Sequence, residues 1–286
     1  MRTTEEMMDL ILTKAENDEK IRAVMMNGSR VNPNATKDRF QDFDIVYVVS
    51  DLESYTNDHA WIDYFGERII MQMPDEMILP PASGNDKFVY LMLFEDGNRI
   101  DLTLVSIDLV GQVLEKDSLS EVLIDKDNLF KSLPPANDSD YLITKPTSKL
   151  FTDCCNEFWW VSTYVAKGLW REELSYTKYC MEVPVRNMLI RMLEWHIGTQ
   201  TNFNVSSGKS GKLLEQYLSV EEWEKFVRTY PDGDYSNIWT ALFTMCELFL
   251  EVSESVAVLF NYKSFDAEGV YSYLRYVEQL HINKKV

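Results

Sequence analysis

No stretch of the 286-residue chain approaches the roughly 18 uninterrupted apolar residues of a membrane-spanning helix, so no membrane association is expected. The opening residues, Met1-Arg2-Thr3-Thr4-Glu5-Glu6-Met7, are charged and lack the apolar core of a secretory leader. Glycine and proline are sparse, at 11 and 9, which argues against low-complexity tails and long flexible linkers. Four cysteines are present, Cys154, Cys155, Cys180 and Cys246. Two of them are adjacent and none has metal-ligand spacing, so neither a disulfide framework nor a zinc site is expected. His59, His196 and His281 are too scattered to add one. A reduced, cytoplasmic protein is the expectation. Basic residues are the minority, 28 against 46 acidic, for a formal net charge of −18. A field of that sign repels nucleic-acid phosphates and favours cationic ligands.

What the chain does have is material for a core: 45% hydrophobic residues and 13% aromatics exclude disorder. Thr3 and Glu6 stand at capping-box spacing before Met7, Leu10, Ile11 and Ala15, which predicts an N-terminal helix. Ile21 to Met26 reads as a strand stopped by Asn27-Gly28-Ser29, and Phe43 to Val49 as a β-branched strand. A short helix near 61–65 and a strand over 68–73 follow. Phe88 to Phe94 and Arg99 to Val105 flank Glu95-Asp96-Gly97-Asn98, the chemistry of a tight hairpin turn. Pro134 to Asp138 is the best linker candidate. Beyond it the pattern turns helical over 153–169, 185–197, 219–229, 236–260 and 267–280, with a second capping box at Ser219 and Glu222. The expected class is α+β: a mixed-sheet domain over 1–134 and an all-α domain over 135–286.

Three segments of the first domain combine into one chemistry. Gly28-Ser29 ends a strand, where glycine lets a ligand approach the backbone and N–H groups suit phosphate oxygens. Asp42-Phe43-Asp44 begins thirteen positions after Ser29, and residues two apart on a strand share a face, so both carboxylates can grip a cation. Asp101 stands between Ile100 and Leu102 on a later strand, where an unpaired buried carboxylate would be costly. Taken singly, Gly-Ser is an ordinary turn, Asp-x-Asp suits a solvated edge, and Asp101 pairs with Arg99. Together, strand, Gly-Ser, spacer, Asp-x-Asp, strand and a later strand with one Asp resemble the DNA-polymerase-β-like nucleotidyltransferase motif.

The resemblance narrows with Met25-Met26-Asn27-Gly28-Ser29-Arg30, Phe40-Gln41-Asp42-Phe43-Asp44-Ile45 and Asp96-Gly97-Asn98-Arg99-Ile100-Asp101-Leu102-Thr103-Leu104. These segments resemble the aminoglycoside 6-adenylyltransferases, the streptomycin-modifying enzymes. In the helical half, 153–159 and Trp195-His196-Ile197 are similar too. The resemblance implies transfer of AMP from ATP to a streptidine hydroxyl, with pyrophosphate released. It implies Mg²⁺ held by Asp42 and Asp44, and Asp101 as a further ligand or as the base for the attacking hydroxyl. Gly28 and Ser29 would hold the β- and γ-phosphates, with Arg30 as a charge partner. ATP and a cationic aminoglycoside are the expected partners, with no nucleic acid and no obligate protein partner.

A cationic substrate wants an acidic, aromatic cleft. Asp153, Glu157 and Trp160 fall on one face of a predicted helix, where carboxylates can pair with guanidinium groups and the indole can stack. The plainer reading is a solvated face beside a core Trp. Gly208-Lys209-Ser210 fails as a P-loop because Phe203 stands where the first glycine is required, although Lys209 could still face a triphosphate. His196 is read as a packed residue. Two other readings keep less of the resemblance: the same fold acting on a protein or RNA, and a non-catalytic binding module. The negative charge opposes RNA, and the three intact carboxylates oppose a degenerate site.

Overall fold

The computed structural model describes residues 1–79, 87–113, 117–130 and 133–284. The chain divides into two compact units, Met1–Asp140 and Tyr141–Val286.

The first unit is a six-stranded mixed sheet. Its strands are β1 (Ile21–Asn27), β2 (Phe43–Val49), β3 (Arg68–Gln72), β4 (Lys87–Phe94), β5 (Arg99–Ser106) and β6 (Ser120–Asp125), in the order β3-β4-β5-β2-β1-β6. Among the described strands β2 and β5 run parallel and the other pairings are antiparallel. Along β5 burial alternates, with Ile100, Leu102 and Leu104 covered while Arg99, Asp101 and Thr103 are half-buried. The period-2 pleat therefore sends the apolar set to one face and the polar set to the other.

The apolar face packs against α1 (Thr4–Asn17), whose Met7, Ile11 and Ala15 join Phe43, Ile45, Tyr47 and Ile100 in one core. Thr3 caps α1 in the expected box with Glu6. The Tyr47 hydroxyl donates to Ile11 O at 2.7 Å, and Lys126 Nζ donates to Ala15 O at 2.8 Å near the helix end, where a cation complements the dipole. The β4–β5 turn carries Gly97 at φ +81°, and Asp96 within it pairs with Arg2 at 2.6 Å. That guanidinium holds the Asp96 carboxyl well below the usual carboxylate range. Strand β6 is not anticipated by the sequence reading. It lies at the sheet edge, paired only with β1, and its Glu121 is exposed while Leu123 and Ile124 are half-buried.

The second unit is helical: α2 (Ser148–Arg171), α3 (Leu174–Cys180), α4 (Arg186–Thr201), α5 (Val220–Arg228), α6 (Tyr235–Phe260) and α7 (Glu268–Lys284), counting helices of seven residues or more. Phe158 of α2 stacks on Phe249 of α6 with centroids 3.7 Å apart, at the centre of a core that includes Trp159, Leu193 and Leu242. Ser219 and Glu222 form the second capping box at the start of α5. One boundary differs from the sequence reading, which begins a helix at Val185, after Pro184. Helical winding instead continues from α3 into α4 through a π turn, Met181–Val185, that contains Pro184. A π turn accommodates a residue that cannot donate a backbone N–H. The four cysteines are free and buried. No helix among the described residues is long and apolar enough to cross a membrane. A mixed sheet followed by helices is the expected α+β class.

Candidate functional site

The polar end of the sheet is built by register. Asn27 of β1 pairs with Asp44 of β2, and Asp44 pairs in turn with Asp101 of β5. Residues directly opposite on adjacent strands project from the same face, so two carboxylates and one amide converge there. Asp42 lies two residues before Asp44 and half-exposed, just ahead of the strand. The expected trio of aspartates therefore meets at one edge of one sheet face.

Gly28 closes the site from below. It starts a single helical turn, Gly28–Arg30, directly after β1, and its N–H donates to Leu119 O at 3.1 Å. Its φ is +75°, the left-handed region that favours glycine. A Cβ placed there would overlap Asp44 Oδ2. Glycine is required twice over, by the turn and by the close approach of the carboxylate.

Around this floor the 29–42 loop is braced by side chains. The Gln41 amide donates to Ser29 O at 3.2 Å and Ser29 Oγ at 3.3 Å. Arg30 lies over the Phe43 ring with its guanidinium carbon 3.6 Å from the centroid, and donates to Asp42 O at 3.0 Å and Gln41 O at 2.7 Å. Arg30 thus holds the peptide that carries Asp42. Its cationic form is weakened first by burial, an effect opposed by Asp42 and Asp44.

Arg99 stands among the carboxylates. Its Nε donates to Asp101 Oδ1 at 2.7 Å and its Nη2 to Oδ2 at 2.8 Å, the bidentate fork that arginine makes with a carboxylate. Its Nη1 reaches Asp42 Oδ2 at 3.6 Å. The pairing of Asp101 with Arg99, weighed in the sequence as a competing reading, is thus present inside the acidic cluster rather than in place of it.

The electrostatics show carboxylates that are partly buried close to one another. Burial, then Asp101 and Asp42, push the Asp44 carboxyl up to about 6. Asp42 is raised as well, chiefly by burial and against the pull of Arg99. Asn27 Oδ1 is buried with no hydrogen-bond partner beside them. Among the described residues no three or more His, Cys, Asp or Glu side chains are gathered closely enough to hold a metal ion as they stand, and both Asp101 oxygens face Arg99. The donor chemistry nevertheless fits a hard divalent cation. Every donor is an oxygen, and burial together with the neighbouring carboxylates holds Asp42 and Asp44 at raised pKa, which a bound cation would oppose.

The remaining expected residues belong to the helical unit. Asp153, Glu157 and Trp160 lie on the exposed face of α2, with Trp160 59% exposed and its neighbour Trp159 in the core. Asp153 is paired with Lys149, and Trp160 Nε1 donates to the Tyr164 hydroxyl. Lys209 is exposed in a short turn, Lys209–Gly211, that follows Gly208 at φ +70°. His196 is buried, its Nε2 2.8 Å from Glu222 Oε1, in keeping with a packed residue.

Comparison with known proteins follows the same lines. The family described as streptomycin adenylyltransferase matches residues 1–277. An aminoglycoside 6-adenylyltransferase of Bacillus subtilis (strain 168) is 44% identical over 277 residues, covering 96% of this chain and 97% of that protein. One from Campylobacter jejuni is 43% identical over 263 residues, covering 92% of this chain and 91% of that protein. A crystal structure of an aminoglycoside 6-adenyltransferase from Bacillus subtilis is 39% identical and covers 97% of this chain and 99% of that one, with a TM-score of 0.47.

Proposed function

Because the chain belongs to the streptomycin adenylyltransferase family and is a nucleotidyltransferase, we propose that it transfers AMP from ATP to the 6-hydroxyl of the streptidine ring of streptomycin, releasing pyrophosphate and conferring resistance. The observation that carries this reading is the convergence of Asp42, Asp44 and Asp101 above Gly28, within a chain that matches the family over nearly its full length.

Asp42 and Asp44, with Asp101, would hold Mg²⁺, which when bound neutralises triphosphate charge and favours in-line attack at the α-phosphorus. The chain's own residues do the rest by positioning. Gly28 leaves room for the Asp44 carboxylate and for phosphate oxygens beside the Gly28–Arg30 turn. Arg30 and Gln41 fix the loop from Ser29 to Asp42, so the carboxylate of Asp42 is delivered on a braced peptide. Asp101, oriented by Arg99, is the group available to accept the proton of the attacking hydroxyl or to join the metal ligands. On α2, Asp153 and Glu157 supply carboxylates for the streptidine guanidinium groups, and the exposed Trp160 supplies a stacking face. Lys209 is assigned to the triphosphate. The negative charge of the chain suits a small cation as acceptor.

Pyrophosphate release from ATP and Mg²⁺, followed across a panel of aminoglycosides, tests the reading. Streptomycin is expected to stimulate release, and chelation of the metal to stop it. Absence of stimulation by every aminoglycoside would remove the proposal.

A further inference from the structure

Arg99 is not among the groups assigned to metal, nucleotide or acceptor, yet it stands where the reaction's charge would be. Its guanidinium engages both oxygens of Asp101 and approaches Asp42 to 3.6 Å, so one cation bridges two of the three carboxylates proposed to bind metal. A divalent cation drawing on Asp101 must share oxygens already engaged by the Arg99 fork and sit close to its positive charge. The two cations compete for the same oxygens.

We propose that Arg99 is an internal counter-cation that makes metal binding conditional on nucleotide. This rests on the metal reading of Asp42, Asp44 and Asp101. A free divalent ion shares these carboxylates with the guanidinium and meets its positive charge, so it binds weakly. A metal–nucleotide complex brings phosphate oxygens into the same few ångströms, which offset that repulsion and offer the guanidinium a further anionic partner. Arginine suits both states because its fork fits carboxylate and phosphate alike. The arrangement keeps the cluster partly neutralised between turnovers, since without Arg99 the three carboxylates would face one another with Arg30 as the neighbouring cation.

The test is a pair of affinities measured on the full chain. Mn²⁺ alone is titrated into wild type, Arg99→Met, Arg99→Lys and Asp42→Asn, with free Mn²⁺ followed by electron paramagnetic resonance. The Mn²⁺ complex of a non-hydrolysable ATP analogue is titrated in parallel by calorimetry. Arg99→Met is expected to bind Mn²⁺ alone more tightly by roughly three- to tenfold, the scale of a partly exposed ion pair. The same variant is expected to bind the metal–nucleotide complex more weakly by a similar factor. Arg99→Lys keeps the charge but not the fork, and should fall between wild type and Arg99→Met in both titrations. A residue that merely supports the fold would shift both affinities in one direction. Wild-type binding that depends on Asp42, combined with unchanged or weaker Mn²⁺ binding by Arg99→Met, overturns the inference and leaves the metal reading standing. Mn²⁺ and metal–nucleotide binding that are indifferent to Asp42→Asn overturn the metal reading and the inference with it.

Discussion

Asp44→Asn is expected to abolish AMP transfer to streptomycin while raising the melting temperature of the metal-free protein. The two effects have one cause. Asp44 is half-buried beside Asp42 and Asp101, and its carboxyl is pushed up to about 6. In an unfolded chain the same group titrates near pH 4. The folded state therefore holds the proton more tightly. The group's contribution to stability is complete below about pH 4 and is lost as pH rises through about 6. At neutral pH the metal-free protein carries a carboxylate it would rather not ionise, and the amide removes that cost. Discounted for the solvent that reaches the carboxylate, the gain is roughly 1–2 kcal/mol, or a few degrees in melting temperature.

Melting curves of wild type and Asp44→Asn in chelator, from about pH 4 to about pH 8, check the stability half. The difference should open between about pH 4 and about pH 6 and stay level above that. Taking the difference removes groups common to both proteins. Asp96 is among them; its lowered pKa supplies stability that is present at neutral pH and lost towards acid. For activity, loss of a carboxylate proposed to hold the metal would remove several kcal/mol of charge stabilisation, so turnover should fall by roughly a thousandfold or more. A variant that is less stable than wild type at pH 7 would contradict the electrostatic reading of the cluster.

Gly28→Ala should be nearly as damaging to activity and, unlike Asp44→Asn, should also destabilise the fold. The backbone there is at φ +75°, where a side chain costs about 1–2 kcal/mol. The added Cβ would overlap Asp44 Oδ2, so the carboxylate must rotate out of the geometry that β2 and β5 set for it. A loss of at least about a hundredfold in kcat is expected, because misplacement by about 1 Å at a reacting centre has that scale. Gly97→Ala separates the two causes. Its φ is +81°, but the nearest neighbour of its Cβ would be the flexible end of Met1. Gly97→Ala should lower the melting temperature while leaving kcat within a few-fold of wild type. Equal losses of kcat in the two variants would mean that Gly28 serves only the turn.

Much of this site is legible in the sequence because it depends on local spacing. Asp42 and Asp44 stand two apart, as their spacing suggests, although β2 begins only at Phe43 and Asp42 is placed by the preceding loop, and Gly28-Ser29 marks the end of β1 by turn chemistry. Asp101 is noticed because a carboxylate between Ile100 and Leu102 would be costly to bury unpaired, and the pleat sends it to the polar face with Arg99 and Thr103. What is not legible depends on neighbours distant in the chain. Arg30 and Gln41 work through backbone oxygens, which carry no residue signature. Arg99 is visible as a partner of Asp101, but its approach to Asp42 follows from the parallel pairing of β2 with β5. Strand β6 escapes for a related reason: an edge strand with one neighbour needs little apolar alternation, yet Leu119 just before it fixes Gly28. The π turn through Pro184 is another case, since proline ordinarily marks a helix boundary.

The most direct measurement follows the fate of the α-phosphate. ATP labelled at that position is incubated with the protein, Mg²⁺ and streptomycin, and the drug is recovered and analysed by mass spectrometry with the site of modification mapped. Label on streptomycin as AMP at the streptidine 6-hydroxyl, with one pyrophosphate released for each, is the expected result. Streptomycin recovered unmodified, or carrying a phosphoryl group without the adenosine, would contradict the account.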